Sequence, residues 1–268
     1  VRSLLFAPAN HARRVEKALA SSADAAILDL EDALLDGEKP AGRAALADAT
    51  KLPRRALLFV RINALSTPHA RDDLASLPPG IDGIVIPKCE SAADIGAVAA
   101  WAPKAALLPL IETARGLQAA EQIAASGPRI RHLVFGALDF ALDLDLSVSP
   151  DEIELRPYRT MLVMASRLAG KAAPLDTPWP DFRDMEGLRA SCERGRRMGF
   201  AGKLCIHPDQ LPVVQEAFAF STEEIAEAEK IIAAAADAER LGLGAVQLDG
   251  KMIDAPVVAR ARRILGQA

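Results

Sequence analysis

The chain has 268 residues, 50% hydrophobic and 25% charged, and its 32 Lys and Arg against 36 Asp and Glu give a formal net charge of −4. That balance suits a globular chain with a sizeable core and excludes a disordered or fibrous one, and the acidic excess without a basic stripe excludes a nucleic-acid footprint. Aromatics are only 4% and alanine is abundant, so the core must be Ala, Val, Ile and Leu, the mix that parallel strands and their covering helices use.

The first apolar run, 3–9, follows Arg2 and turns at Pro8; it is too short for a signal peptide or a spanning helix. Further runs follow at 25–32, 56–63, 83–88, 106–113, 132–139, 173–178 and 201–208, which makes eight. Most are continuous rather than alternating, as in strands covered on both faces. Helical patterns separate them, among them 12–21, 92–101 and 187–198. This rhythm predicts a (β/α)₈ TIM barrel. The alternative, an open doubly wound sheet, lacks its Gly-rich phosphate loop after the first strand. Beyond the eighth strand, Ser221 and Glu224 form a capping-box pattern that opens a long helix ending near Gly242. A Gly-punctuated segment, 244–250, and a last helix from about Ala255 complete a C-terminal helical extension. The expected organisation is a barrel over 1–220 and an extension or lid over 221–268, within one domain.

Most of the apolar runs finish polar: Asp29, Glu31 and Asp32; Arg61 and Asn63; Lys88; Glu112; Asp139; Asp176 and Thr177; His207. In a barrel these C-terminal ends meet on one face, where active sites lie. Several carboxylates in one low-dielectric cup repel unless paired. Arg61 and Lys88 offset part of the charge, and a divalent cation held by Glu112 and Asp139 would offset more, since all-oxygen ligation is what Mg²⁺ takes. Strand position alone leaves helix capping and salt bridging open as the other use of these acids. Cys89, Cys192 and Cys205 are odd in number and lack metal-ligand spacing; they read as reduced, buried apolar fillers, which suits a cytoplasmic protein.

These residues, in order, resemble the HpcH/HpaI aldolase and citrate lyase beta-subunit superfamily, in its acyl-CoA lyase branch. The resemblance rests on 2–10, 27–32 (Ile-Leu-Asp-Leu-Glu-Asp), 60–63, 86–88, 110–116, 135–139, 158–167, 181–184, 202–208 and 249–254, and so covers nearly the whole chain. It implies Glu112 and Asp139 as Mg²⁺ ligands (Mn²⁺ in its place) and Arg61 as the group facing substrate carboxylate and enolate charge. It implies Asp29 and Glu31 as groups orienting metal-bound water and Arg61. The amides of Gly136, Ala137 and Leu138 would bind a keto-acid carboxylate, and Arg13 and Lys17 would meet CoA phosphates unless they are a solvated helix face. Asp254, from a Met-Ile-Asp motif, would enter a neighbouring subunit's site; it also stands before Ala255 and Pro256, where it could be an N-cap. His207 would shape the last βα turn with its imidazole satisfied locally. Ala9 stands where many relatives carry Gly. Asp32 replaces the His of the pyruvate aldolases' Gly-Glu-His motif, which favours the lyase branch.

The implied reaction is Mg²⁺-dependent cleavage or formation of a 3-hydroxyacyl thioester, such as malyl-CoA, citramalyl-CoA or citryl-CoA/ACP, yielding an α-keto acid and an acyl thioester. The alternatives are a Mg²⁺ aldolase on free hydroxy-keto acids and a non-catalytic subunit. The expected partners are a small-molecule substrate, other copies of the chain in a homotrimer or hexamer, and citrate lyase-type subunits, with no nucleic acid and no membrane.

Overall fold

The computed structural model describes residues 1–240 and 245–267. They fall into two compact units, Val1–Phe218 and Ala219–Ala268. In the first unit the strands are β1 (Ser3–Pro8), β2 (Ala25–Asp29), β3 (Leu57–Arg61), β4 (Gly83–Ile86), β5 (Ala106–Ile111), β6 (Val134–Phe135), β7 (Leu175–Asp176) and β8 (Gly202–Cys205). Each pairs in parallel with the next and β8 closes on β1, a (β/α)₈ barrel. The helices are α1 (Ala12–Ala20), α2 (Lys39–Ala49), α3 (His69–Ser76), α4 (Ala92–Ala99), α5 (Ala114–Gln118), α6 (Ala120–Ala125), α7 (Ala137–Asp143), α8 (Arg156–Leu168), α9 (Met185–Met198) and α10 (Gln210–Ala217). Caps fix their starts: Ser91 accepts from the amide of Asp94, Thr113 from Gly116 and Asp184 from Gly187.

Alternation along the strands sorts the core into two layers. Leu4, Ala25, Ile27, Phe59, Val85, Leu108, Leu110, Val134, Leu175 and Leu204 fill the barrel interior. Their neighbours, such as Leu5, Leu28, Val60, Ile84 and Ile111, pack outward against the helices. Each such side chain is worth about 1.5–3 kcal/mol buried, so apolar packing outweighs the surface ion pairs, worth about 0–1 kcal/mol each. Phe59 stands opposite Gly83 in the register; a Cβ on Gly83 would meet that ring at 2.6 Å, so glycine makes room for the large ring.

The same alternation corrects the expectation for Asp176. Leu175 points inward, so Asp176 points out, into the layer beneath α8 and α9. There it accepts from Arg159 Nε at 3.0 Å and from Lys203 Nζ at 3.0 Å. Arg159 also donates to Glu152 at 2.7 Å, as does Arg194, and Lys203 to Ser191. Burial works to raise the pKa of Glu152, but the charges of Arg159 and Lys203 outweigh it and hold it at about 2. Asp176 is therefore no part of the cup.

In the second unit, α11 (Thr222–Arg240) packs with α12 (Ala255–Gln267), and β9 (Val246–Leu248) pairs antiparallel with β10 (Lys251–Ile253). The capping box is present: Glu224 N donates to Ser221 Oγ and Ser221 N to Glu224 Oε2. Gly242 and Gly244 lie outside the described residues. The Gly-punctuated segment holds a hairpin whose Asp249 and Gly250 have φ of +48° and +79°, the two-residue turn that Asp-Gly favours.

Candidate active site

Strand parity and register carry the site residues inward. Asp29 follows Ile27 by two positions, Arg61 follows Phe59, Glu112 follows Leu110 and Gly136 follows Val134, each continuing an interior row. The β2–β3 register sets Asp29 directly beside Arg61. Arg61 donates from Nε to Asp29 Oδ1 at 2.7 Å and from Nη2 to Oδ2 at 2.6 Å, a two-pronged clamp. Its Nη1 lies 2.9 Å from Glu31 Oε2, an ion pair without hydrogen-bond alignment, and donates to Asp32 Oδ2 at 3.2 Å. The guanidinium stands 4.9 Å from the centre of the Phe6 ring. Burial opposes the Arg61 charge, yet Asp29, Glu31 and Asp32 outweigh it and hold its pKa above the ordinary value.

Lys88 forms a second cationic point. Its Nζ donates to Glu31 Oε1 at 3.0 Å and lies 3.5 Å from Asp139 Oδ1 and 3.9 Å from Glu112 Oε1. Its backbone N donates to Glu112 Oε1 at 2.8 Å. Glu112 is 2% exposed, and its pKa is pushed up to about 8, by burial first and then by Glu31 and Asp139. Burial also raises the pKa of Glu31, against the pull of Arg61. Five carboxylates surround two cations here, a formal excess of three negative charges when all are ionised. An environment in which buried carboxyls hold on to protons is one that would accept a further cation.

Asp139 is not at a strand end, as expected, but in the first turn of α7, because β6 is only two residues long. It still faces the ammonium that Glu112 faces, so the two carboxylates converge. Gly136 makes their approach possible: a Cβ there would meet Glu112 Oε2 at 2.5 Å. Its amide donates to Ile111 O at 3.0 Å and that of Ala137 to Thr177 Oγ1 at 3.1 Å. Two of the three amides expected to face a ligand therefore have partners within the protein, and the third belongs to Leu138, the exposed second residue of α7. Among the described residues no group of three His, Cys, Asp or Glu is arranged to hold a metal. Two carboxylates fit an ion such as Mg²⁺ that keeps several water or substrate oxygens.

Sequence reasoning missed the support behind the cup. Buried Lys39 donates to Leu30 O at 3.1 Å, Glu31 O at 2.9 Å and Asn63 Oδ1 at 2.6 Å. Asn63 in turn donates to Leu30 O and to Asp73, which pairs with Arg43. This ties the ends of β2 and β3 together, fixing Glu31 relative to Arg61. The ending Arg61-Ile62-Asn63 was the signal available; partners 8 to 33 residues away gave none.

Arg13 and Lys17 are exposed and one turn apart on α1. Asp254 belongs to the second unit, where its Oδ1 accepts from the Val257 amide at 3.3 Å, an N-cap on α12. His207 is satisfied locally: it stacks on Phe182 at 5.0 Å and its Nδ1 accepts from the Asp209 amide. The three cysteines are buried and unpaired; burial pushes the Cys89 thiol up to about 12 and that of Cys192 to about 11, which makes both poor nucleophiles. Among the described residues no helix is long and apolar enough to cross a membrane.

A family described as HpcH/HpaI aldolase/citrate lyase matches residues 2–208, and one described as a C–C bond lyase of the TIM-barrel fold matches residues 169–268. The (3S)-malyl-CoA thioesterase of Cereibacter sphaeroides is 39% identical over 270 residues, covering 100% of this chain and 94% of that protein. A citrate lyase subunit beta-like protein of Deinococcus radiodurans is 37% identical over 275 residues, covering 99% and 96%. The structure of CitE from Mycobacterium tuberculosis in complex with magnesium, acetoacetate and coenzyme A superposes with a TM-score of 0.84 at 35% identity, covering 100% of this chain and 97% of that one. With a family match across most of its length, an intact barrel and relatives aligned end to end, the chain belongs to the HpcH/HpaI aldolase/citrate lyase family.

Proposed function

We propose that this chain is a Mg²⁺-dependent carbon–carbon lyase. Its substrate would be a 3-hydroxyacyl thioester with a carboxylate on the hydroxyl carbon, of the malyl-CoA, citramalyl-CoA or citryl-CoA/ACP type. The observation that carries the reading is the convergence of Glu112 and Asp139 on one cationic point beside the clamped Arg61. The magnesium, acetoacetate and coenzyme A bound by CitE support it.

A divalent ion on Glu112 and Asp139 would supply Lewis acidity toward the substrate's carboxylate and hydroxyl oxygens. The residues do the rest. Arg61, locked by Asp29, would face the negative charge that develops on cleavage. Its contact with Asp32 is the one a substrate carboxylate can displace, because the Asp32 side chain is 58% exposed. The hydroxyl proton passes to a carboxylate of the cup. The electron pair of the carbon–carbon bond moves onto the thioester as an enolate, and the hydroxyl carbon leaves as the keto carbon. Asp254 of a neighbouring subunit would give a proton to the enolate. The Leu138 amide would bind the keto-acid carboxylate, and Arg13 and Lys17 the CoA phosphates. The chain would work as a homo-oligomer, a trimer or a dimer of trimers.

The name of the Cereibacter relative favours one second reading, thioester hydrolysis. Incubating malyl-, citramalyl- and citryl-CoA with Mg²⁺ while following keto acid and free thiol separates the two. Cleavage releases keto acid and keeps the thioester; hydrolysis releases thiol and hydroxy acid without keto acid. Turnover confined to free hydroxy-keto acids would replace both with an aldolase, and no turnover at all would favour a non-catalytic subunit.

A further inference from the structure

Lys88 takes part in the cup in two ways that pull against each other. Its backbone is left-handed, with φ of +46°, a conformation that a side-chain-bearing residue rarely adopts. That turn aims its N–H at Glu112 Oε1, 2.8 Å away, and so orients the carboxylate. The side chain then folds back over the same group, its ammonium within 3.0 Å of Glu31, 3.5 Å of Asp139 and 3.9 Å of Glu112. It therefore stands where Glu112 and Asp139 converge.

We infer that Lys88 is a built-in counter-cation that competes with a divalent ion for Glu112 and Asp139 and so keeps the protein's own metal affinity low. The inference rests on the metal reading above. Any ion held by these two carboxylates must push the ammonium aside or share them with it. The side chain is 36% exposed and hydrogen-bonded to Glu31, so it can retreat toward Glu31 and solvent without leaving the cup. Metal would then bind firmly only when substrate oxygens complete its ligand set.

The test is Mg²⁺ binding by calorimetry, with thermal melts at matched Mg²⁺ concentrations. Lys88→Met keeps the unbranched side chain and meets the same backbone strain, so the change is confined to the ammonium and its hydrogen bond to Glu31. Two like charges about 4 Å apart are worth more than about tenfold in an equilibrium constant, so Lys88→Met should bind Mg²⁺ at least about tenfold more tightly. Its melting temperature should also rise further on adding Mg²⁺ than that of the wild type. Lys88→Arg, which keeps the charge, should not show the gain. If Lys88→Met does not fold without Mg²⁺, the same comparison in the Glu31→Gln background, where one carboxylate leaves with the ammonium, should show the gain. Equal or weaker Mg²⁺ binding by Lys88→Met, or by the double variant relative to Glu31→Gln, overturns the inference while leaving the metal site standing. If neither the wild type nor Lys88→Met binds Mg²⁺, or if a Glu112→Gln variant binds it as well as the wild type, the metal reading is overturned and the inference with it.

Discussion

Arg61 sits among three carboxylates and an aromatic ring, and each contact uses the planar fork of its guanidinium. A lysine ammonium cannot reproduce that fork. Arg61→Lys should therefore lower kcat at least about a hundredfold if the charge it meets forms in the transition state, with fold and Mg²⁺ binding retained. Wild-type kcat in that variant would remove Arg61 from the chemistry. Glu112 yields a prediction in pH. With its pKa pushed up to about 8, a proton competes with a metal ion for it near neutral pH. Metal affinity should rise by up to about tenfold per pH unit and level off above about pH 8. Calorimetry in buffers of different ionisation enthalpy should register the released proton; a flat profile from pH 6 to 9 would contradict it. Arg61, Glu112, Asp29 and Glu31 were all legible as polar ends of apolar runs. The competing position of Lys88 was not, because it follows from a left-handed backbone that sequence does not announce.

At the level of elements, the junction of β6 and α7 decides whether Glu112 and Asp139 meet. Gly136→Ala would put a Cβ 2.5 Å from Glu112 Oε2, so the carboxylate must move. The expected result is at least about tenfold weaker Mg²⁺ binding with the barrel intact, by the scale that supporting groups around metal ligands show; unchanged affinity would mean the cup relaxes freely. The outer network under α8 has a pH signature of its own. The Glu152 pKa is depressed to about 2, so its stabilisation is complete above about pH 4.5 and is lost as pH falls through 2. Glu152→Gln should cost roughly 3 kcal/mol near neutrality, and its melting deficit should shrink as pH falls from about 4.5 toward 2. A deficit independent of pH would assign the loss to packing. The eight strands were legible because each is a short apolar run. Which side each residue faces was not, because strands buried on both faces show no alternation; hence Asp176 seemed to belong to the cup. The β9–β10 hairpin did carry a signal, the Asp-Gly pair at 249–250, whose meaning lies in its two positive φ angles. The tie from Lys39 through Asn63 to Asp73 joins separate βα units, and no local pattern encodes it.

The whole molecule raises the question of whether one chain makes a complete site. Asp254 caps α12 in the second unit, and Asn caps almost as well as Asp. If capping is its only task, Asp254→Asn should keep wild-type rates; if it moves a proton, activity should fall at least about a hundredfold with assembly unchanged. Mixing inactive Arg61→Lys and Asp254→Asn proteins under conditions that exchange subunits should restore part of the activity when sites are shared between copies, and none when each chain serves its own. The most direct measurement of the metal site is anomalous diffraction from a crystal soaked in Mn²⁺ and an α-keto acid. One strong peak is expected at the barrel mouth, ligated by the carboxylates of Glu112 and Asp139 and by the keto acid, with Arg61 against the keto acid's oxygens. A peak held by other residues, or none at saturating Mn²⁺, would contradict it.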